Sequence, residues 1–282
     1  VTAGGGLPLD EFAALAARHG FMAIDFDLKA AHALGLERAA AAFESNGLLP
    51  ASFGLPVEWR KDEASFRAGL QELPELAKFA QDLSCRRCCT WILPDGGMPR
   101  AQYAKISTGR FIEIARILAE NGVRLGLEFI GPHHFRTQSE NVWFYDIAGA
   151  LEVADEINSH LQSNNVGLLV DCYHWHTAGN STMDLASIPL EQVVHVHIND
   201  APAGVAIADL QDSVRELPGA TGAIDIEAFL STLAALGYDG PVAVETFSQN
   251  LKTLAPDESA SQASAAVTAV FEQAGIKPMH LL

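Results

Sequence analysis

Four short apolar runs, LGLEF, VGLLVD, VVHVHI and PVAVETF, constrain this chain more than anything else in it. Each delivers an acid or a histidine near its end: Glu128, then Asp171, then His195 and His197, then Glu245. Val166 to Val170 is short, branched and without polar alternation, as expected for a strand buried on both faces of a parallel sheet. A carboxylate such as Asp171 at the end of such a strand is costly to bury unless something pairs with it. Taken singly, each residue has a structural explanation. Asp171 would cap a turn or the next helix, Glu128 would pair with Arg124 or Arg136, His197 would be a satisfied core histidine, and Glu245 would cap a turn. Recurrence on four consecutive strands favours one shared site.

The rest of the chain alternates between stretches of helical period and short apolar runs, which argues for βα units and a parallel sheet. The spacing predicts helices over 9–19, 30–46, 64–83 with a kink or split at Pro74, 102–121, 141–162 and 258–274. One more starts at an Asp225 cap and carries Ile226, Phe229, Leu230, Leu233 and Leu236 on one face. Strands are expected at 21–27, 48–57, 85–93, 123–130, 166–171, 193–198 and 241–247. That makes seven, whereas a closed (β/α)8 TIM barrel has eight. The missing one would precede the first helix, so it is either a short strand at Val1–Ala3 or truncated. The rival, an open doubly wound sheet, would carry a Gly-rich phosphate loop, and none is present. It would also spread the four strand ends apart, whereas a barrel gathers them at its carboxyl mouth. Residues 1–282 read as one barrel domain, without a linker or low-complexity tract to divide them.

Charge narrows the partners. The formal net charge is −17, which repels a phosphate backbone and argues against nucleic acid. No run approaches the roughly 18 apolar residues that span a membrane, and no basic-then-apolar leader is visible. The cysteines are Cys85, Cys88, Cys89 and Cys172. CRRCC resembles half of a zinc site, but no second CxxC follows, so buried thiols are expected. Without a disulfide framework, a cytoplasmic protein is expected. Asn180-Ser181-Thr182 matches a glycosylation triplet, read as a chance match.

Three carboxylates and one imidazole make a hard, oxygen-rich ligand set suited to one divalent ion. Mg²⁺ or Mn²⁺ fits best, and Co²⁺ or Zn²⁺ remains open. Trp91 offers an apolar wall for the face of a bound ligand, with core packing as the alternative. His133, His134 and Arg136 form a cationic loop that either meets an anionic substrate group or is simply solvated.

The set LGLEF, VDCYH, HVHIND and GPVAVET resembles the xylose isomerase-like TIM barrel superfamily, in its sugar phosphate isomerase/epimerase branch. The resemblance is strongest from Leu125 to Phe247. It implies that Glu128, Asp171, His197 and Glu245 hold one divalent metal, with His195 behind them. It further implies that His174 and Arg215 contact substrate, beside the Trp91 and His134 read above. The implied reaction is proton transfer next to a carbonyl through a metal-stabilised enediolate, with Glu128 and Glu245 as acid and base. The resemblance also implies a sugar or polyol substrate and a homo-oligomer. A dehydratase of an inosose- or dehydroshikimate-type keto-polyol is the alternative on the same site. An abasic-site endonuclease, disfavoured by the charge, and a non-catalytic sugar-binding protein complete the possibilities weighed.

Overall fold

The computed structural model describes residues 6–277. Seven strands are present among them: β1 Ala23–Phe26, β2 Leu49–Gly54, β3 Arg87–Ile92, β4 Arg124–Phe129, β5 Val166–Asp171, β6 Val193–Ile198 and β7 Val242–Val244. All neighbours pair in parallel in the order β1 to β7. The sheet curls into a nearly closed TIM barrel ringed by helices. The short first strand expected at Val1–Ala3 lies outside the described residues.

The helices are α1 Leu9–Arg18, α2 Leu28–Leu34, α3 Leu36–Glu44, α4 Glu63–Asp82, α5 Arg100–Glu120, α6 Ile147–Leu161, α7 Cys172–Ala178, α8 Thr182–Ala186, α9 Ile226–Leu236, α10 Gln249–Thr253 and α11 Pro256–Gln273. Three differ from the expectation. The Ala-rich run after β1 is two helices, because Gly35 takes φ +85°, which breaks the ladder between α2 and α3. Conversely, α4 runs through Pro74 without a split. Pro74 is exposed, so its ring displaces no packed side chain. Residues 141–146 are not helical: α6 begins only after Asp146, whose carboxylate accepts from the Gly149 amide at 2.9 Å. The 180–182 triplet also has a structural role. Ser181 and Asp184 form a reciprocal capping box at the start of α8.

Strand register positions the site. Trp91 stands opposite Glu128, Asp171 opposite His197, and His197 opposite Ala243. Glu245 follows immediately after β7, where its amide donates to Ile198 O at 3.2 Å. The sequence-distant residues therefore share one layer at the carboxyl end of the barrel. Leu125, Leu127 and Phe129 alternate with Glu128 along β4 and join the apolar core beneath the helices. All four cysteines are free and buried. Burial pushes the Cys85 thiol up to about 12 and the other three well above their ordinary value. No described helix is long and apolar enough to cross a membrane.

Candidate metal centre and active site

The structure brings Glu128, Asp171, His197 and Glu245 together. One ligand atom from each lies within 4.8 Å of all the others, a grouping that could hold a metal ion. Neither of the two such groups among the described residues includes a cysteine. Asp171 fulfils two of its expected roles at once. Its Oδ1 caps α7 by accepting from the Tyr173 amide at 2.6 Å, and its Oδ2 faces the cluster. The Asn199 side-chain amide donates to both oxygens, at 3.1 and 3.2 Å, and fixes the carboxylate plane.

Arg215 sits against this cluster rather than on the cavity wall. Its Nη1 donates to Asp171 Oδ2 at 2.9 Å and to Glu245 Oε2 at 2.7 Å, while Nη2 donates to Asp212 Oδ1 at 2.7 Å. The same Nη2 lies 3.1 Å from His174 Nε2. The long loop after β6 delivers this guanidinium because its backbone is tied at both ends. Asp200 and Glu216 exchange backbone hydrogen bonds at 3.0 and 2.8 Å, and Thr246 Oγ1 donates to Arg215 O at 2.9 Å. The buried Asp200 carboxylate also accepts from the amides of Ala201, Thr221, Gly222 and Ile224. His174 is packed closely beneath the loop after β4. A Cβ on Gly131 would come within 2.4 Å of His174 O, so only glycine fits there.

The two flanking glutamates have opposite proton preferences. Burial, reinforced by the Glu245 and Asp171 charges, holds the Glu128 carboxyl well above the usual range. Burial acts on Glu245 in the same direction, yet His197 and Arg215 outweigh it and hold that carboxyl far below the usual range. His197 is raised well above an ordinary imidazole: burial opposes its charge, but Glu245, Asp25 and Glu128 outweigh burial. Asp171 is raised by burial, with Arg215 opposing. His174 is held neutral by burial and by the adjacent guanidinium.

A cavity of about 600 Å³ opens over Glu128, His197 and Glu245 and extends toward β1, β2 and β3. Trp91, 43% exposed, lines it together with Phe26, Phe53 and Leu55. Arg60 stacks 3.4 Å over the Trp91 ring and also donates to Trp91 O and Thr90 Oγ1. His174 and Arg215 do not line this cavity, and neither does His134, which is exposed with its ring 4.1 Å from that of Phe135. Arg136 is engaged within its own loop, donating to Gly131 O and Thr177 O and stacking on Tyr145. Sequence reasoning missed Asp25, whose carboxylate lines the cavity and touches both histidines of β6. The only signal was an acid near the end of a fifth strand, inside the run FMAIDFD.

Comparison with known proteins agrees with this architecture. The family model described as xylose isomerase-like TIM barrel matches residues 13–269. The chain belongs to that family. A xylose isomerase domain protein from Alicyclobacillus acidocaldarius superposes with a TM-score of 0.86 at 30% identity, covering 96% of each chain. The IolI protein, whose structure holds a zinc atom, superposes with a TM-score of 0.78 at 23% identity, covering 95% of this chain and 93% of its own. Among curated relatives, the inosose isomerase of Halalkalibacterium halodurans is 24% identical over 219 residues, 77% of this chain and 73% of that protein. The ketose 3-epimerase of Arthrobacter globiformis is 25% identical over 251 residues, 85% and 77% of the two chains. Curated relatives thus include carbohydrate isomerases and epimerases, together with a 3-dehydroshikimate dehydratase of Pseudomonas aeruginosa, 26% identical over 141 residues, 50% of this chain and 20% of that protein.

This member of the xylose isomerase-like barrels has a donor set that fits a divalent cation. Glu128 Oε1 and His197 Nδ1 are buried and have no hydrogen-bond partner among the described residues, and each such orphaned group costs about 1–3 kcal/mol. A cation among Glu128, Asp171, His197 and Glu245 would satisfy both. Because Glu128 and His197 hold protons they must release, Mn²⁺ uptake by metal-free protein is expected to liberate protons. Its apparent affinity should then strengthen as pH rises and weaken as pH falls. Calorimetry in two buffers of different ionisation enthalpy counts the protons. An affinity that stays flat from about pH 6 to about pH 8 would contradict the linkage.

Proposed function

We propose that the protein is a divalent-metal-dependent isomerase or epimerase of neutral sugars or polyols, acting by proton transfer next to a carbonyl. The observation that carries this reading is the pair of carboxylates, Glu128 and Glu245, that face the cavity from within one cation-binding group. A divalent cation held by Glu128, Asp171, His197 and Glu245 would polarise adjacent carbonyl and hydroxyl oxygens of the substrate. Glu245, ionised, is the group that takes the carbon-bound proton. Glu128, on the other side of the substrate, is the group that returns one. Return at the opposite face of the same carbon inverts a centre. Return at the neighbouring carbon interconverts aldose and ketose. Arg215 holds Glu245 by one carboxylate oxygen and so fixes its aim. Trp91 and Phe53 shield one face of the substrate from water.

Charge on the cavity wall supports a substrate without a phosphate. Asp25, Asp27, Glu128 and Glu245 line it; of the cationic groups among the described lining residues, His197 is turned to Asp25 and Glu245, and Lys29 is paired with Glu72 at 2.9 Å. Incubation in D₂O with a panel of paired sugars and sugar phosphates, together with inososes, tests both parts. Solvent deuterium is expected at the carbon next to the carbonyl of a neutral substrate. The phosphorylated partner should have a kcat/KM at least about tenfold lower, since its dianion would face a wall of like charge. Preferred turnover of phosphates would overturn the neutral-substrate assignment. A product with a new conjugated chromophore would mark a dehydratase. Cation binding with no turnover across the panel would leave a binding protein.

A further inference from the structure

Behind His197, away from the carboxylate cluster, lies a group that the scheme above does not use: Asp25 on β1, Ser52 on β2 and His195 on β6. Asp25 Oδ1 accepts from Ser52 Oγ at 2.6 Å. Its Oδ2 faces two imidazole nitrogens, His195 Nε2 at 3.1 Å and His197 Nε2 at 3.6 Å. The two rings stand 5.0 Å apart at an interplanar angle of 81°. The other nitrogen of His197, Nδ1, points the opposite way, 3.5 Å from Glu245 Oε2 and 3.8 Å from Asp171 Oδ2. A carboxylate only accepts hydrogen bonds. An imidazole lone pair turned toward it would be repelled, so both Nε2 atoms facing Asp25 carry hydrogen. For His197 the opposite nitrogen, Nδ1, is the one turned to the cluster; beside Glu245 and Asp171 it carries hydrogen in the cation-free protein, and it would offer its lone pair once a cation displaced that proton.

We propose that Asp25, clamped by Ser52 and His195, is a positioning residue that holds His197 with Nε2–H toward β1 and Nδ1 toward the cation-binding cluster. At 3.6 Å the contact with His197 exceeds a hydrogen bond, so the control is chiefly electrostatic: the anion sets which nitrogen keeps its hydrogen. His195 and Ser52 supply the two true hydrogen bonds that keep the carboxylate between the rings. A carboxylate behind a ligating histidine fixes ring orientation and raises ligand basicity. The inference rests on the cluster of Glu128, Asp171, His197 and Glu245 taking up a cation.

The test measures Mn²⁺ affinity, from the electron paramagnetic resonance of free Mn²⁺, together with the imidazole ¹⁵N–¹H spectrum of the Mg²⁺-loaded protein. Asp25→Asn is expected to weaken Mn²⁺ binding about 10–100-fold, because the amide can turn its NH₂ toward His197 Nε2 and so favour the wrong tautomer. Ser52→Ala, which deletes one hydroxyl and serves if Asp25→Asn folds poorly, should weaken it by roughly threefold. In wild type the spectrum should show hydrogen on His197 Nε2, and Asp25→Asn should lose or mix that signal. Three results overturn the proposal alone: both variants binding Mn²⁺ as wild type does, hydrogen on Nδ1 in the loaded wild type, or two Mn²⁺ per chain with one lost in Asp25→Asn. The last would make Asp25, His195 and His197 a second cation site. A wild-type protein that takes up no Mn²⁺ or Mg²⁺ would overturn the functional reading and this inference with it.

Discussion

Replacing Glu245 by Gln is expected to stop exchange of the substrate's carbon-bound proton with solvent and to lower kcat by about 10³-fold. The amide keeps the size of the carboxylate but cannot accept a proton at neutral pH. In the native protein Glu245 is held ionised by His197 and Arg215 against the effect of burial, which makes it a base in the resting state. Glu128→Gln should behave differently. The glutamine resembles the protonated carboxyl that burial favours at that position, but it has no proton to return to carbon. Exchange should then persist through Glu245 while net product falls by a comparable factor. Mass spectrometry of recovered substrate from D₂O, beside product assay, separates the two variants. Undiminished exchange in Glu245→Gln would reject its role as base. Parallel loss of exchange in both variants would show that the two carboxylates act as ligands rather than as divided acid and base. Mn²⁺ titration of each variant identifies how much of the loss comes from weakened cation binding.

How much of this was legible in the sequence follows from the kind of physics involved. The seven described strands and their alternation with helices were legible because buried parallel strands leave uninterrupted branched runs. The four residues now in one cluster were legible because the barrel's topology sends every strand end to one mouth. What depended on backbone conformation or on side-chain pairing was not legible. Gly35 breaks a helix that an Ala-rich run would otherwise continue, and only its positive φ reveals the break. The bridge that Arg215 makes between Asp171 and Glu245 was equally hidden, because it depends on the Asp200-anchored loop directing that side chain inward. Asp25 was hidden in FMAIDFD, where Asp27, two residues on, caps α2. The pairing of Asp25 with His195 spans 170 residues, a contact that no local pattern encodes.

Removing the Arg215 charge is expected to be the most destabilising single change at the site. Arg215 is buried to 2% exposure and bonds Asp171 and Glu245, themselves buried or nearly so. Arg215→Met keeps much of the side-chain volume but leaves two carboxylates facing each other without their guanidinium. Breaking a buried pair from one side costs about 3–5 kcal/mol, which for a chain of this size lowers Tm by roughly 10 °C. The pH dependence carries the diagnostic sign. In wild type the Glu245 carboxyl is depressed, so it adds stability above the unfolded carboxylate range and loses it as pH falls. In Arg215→Met the same group would lose a charge partner while burial still raises its pKa. His197 still holds the group down, so its folded value should move toward the unfolded one, and raising the pH should stabilise the variant less than it stabilises wild type. The Tm gap between the two proteins should therefore widen from about pH 3 to about pH 5, where the unfolded carboxyl titrates. Added Mn²⁺ should narrow that gap, because a divalent cation among the same carboxylates restores a positive charge and stabilises the folded state by mass action. Thermal unfolding at the two pH values, with and without Mn²⁺, checks both signs. A gap that is small and independent of pH would mean that Asp171 and Glu245 do not depend on Arg215 for compensation, and that His197 and Asn199 suffice to hold them.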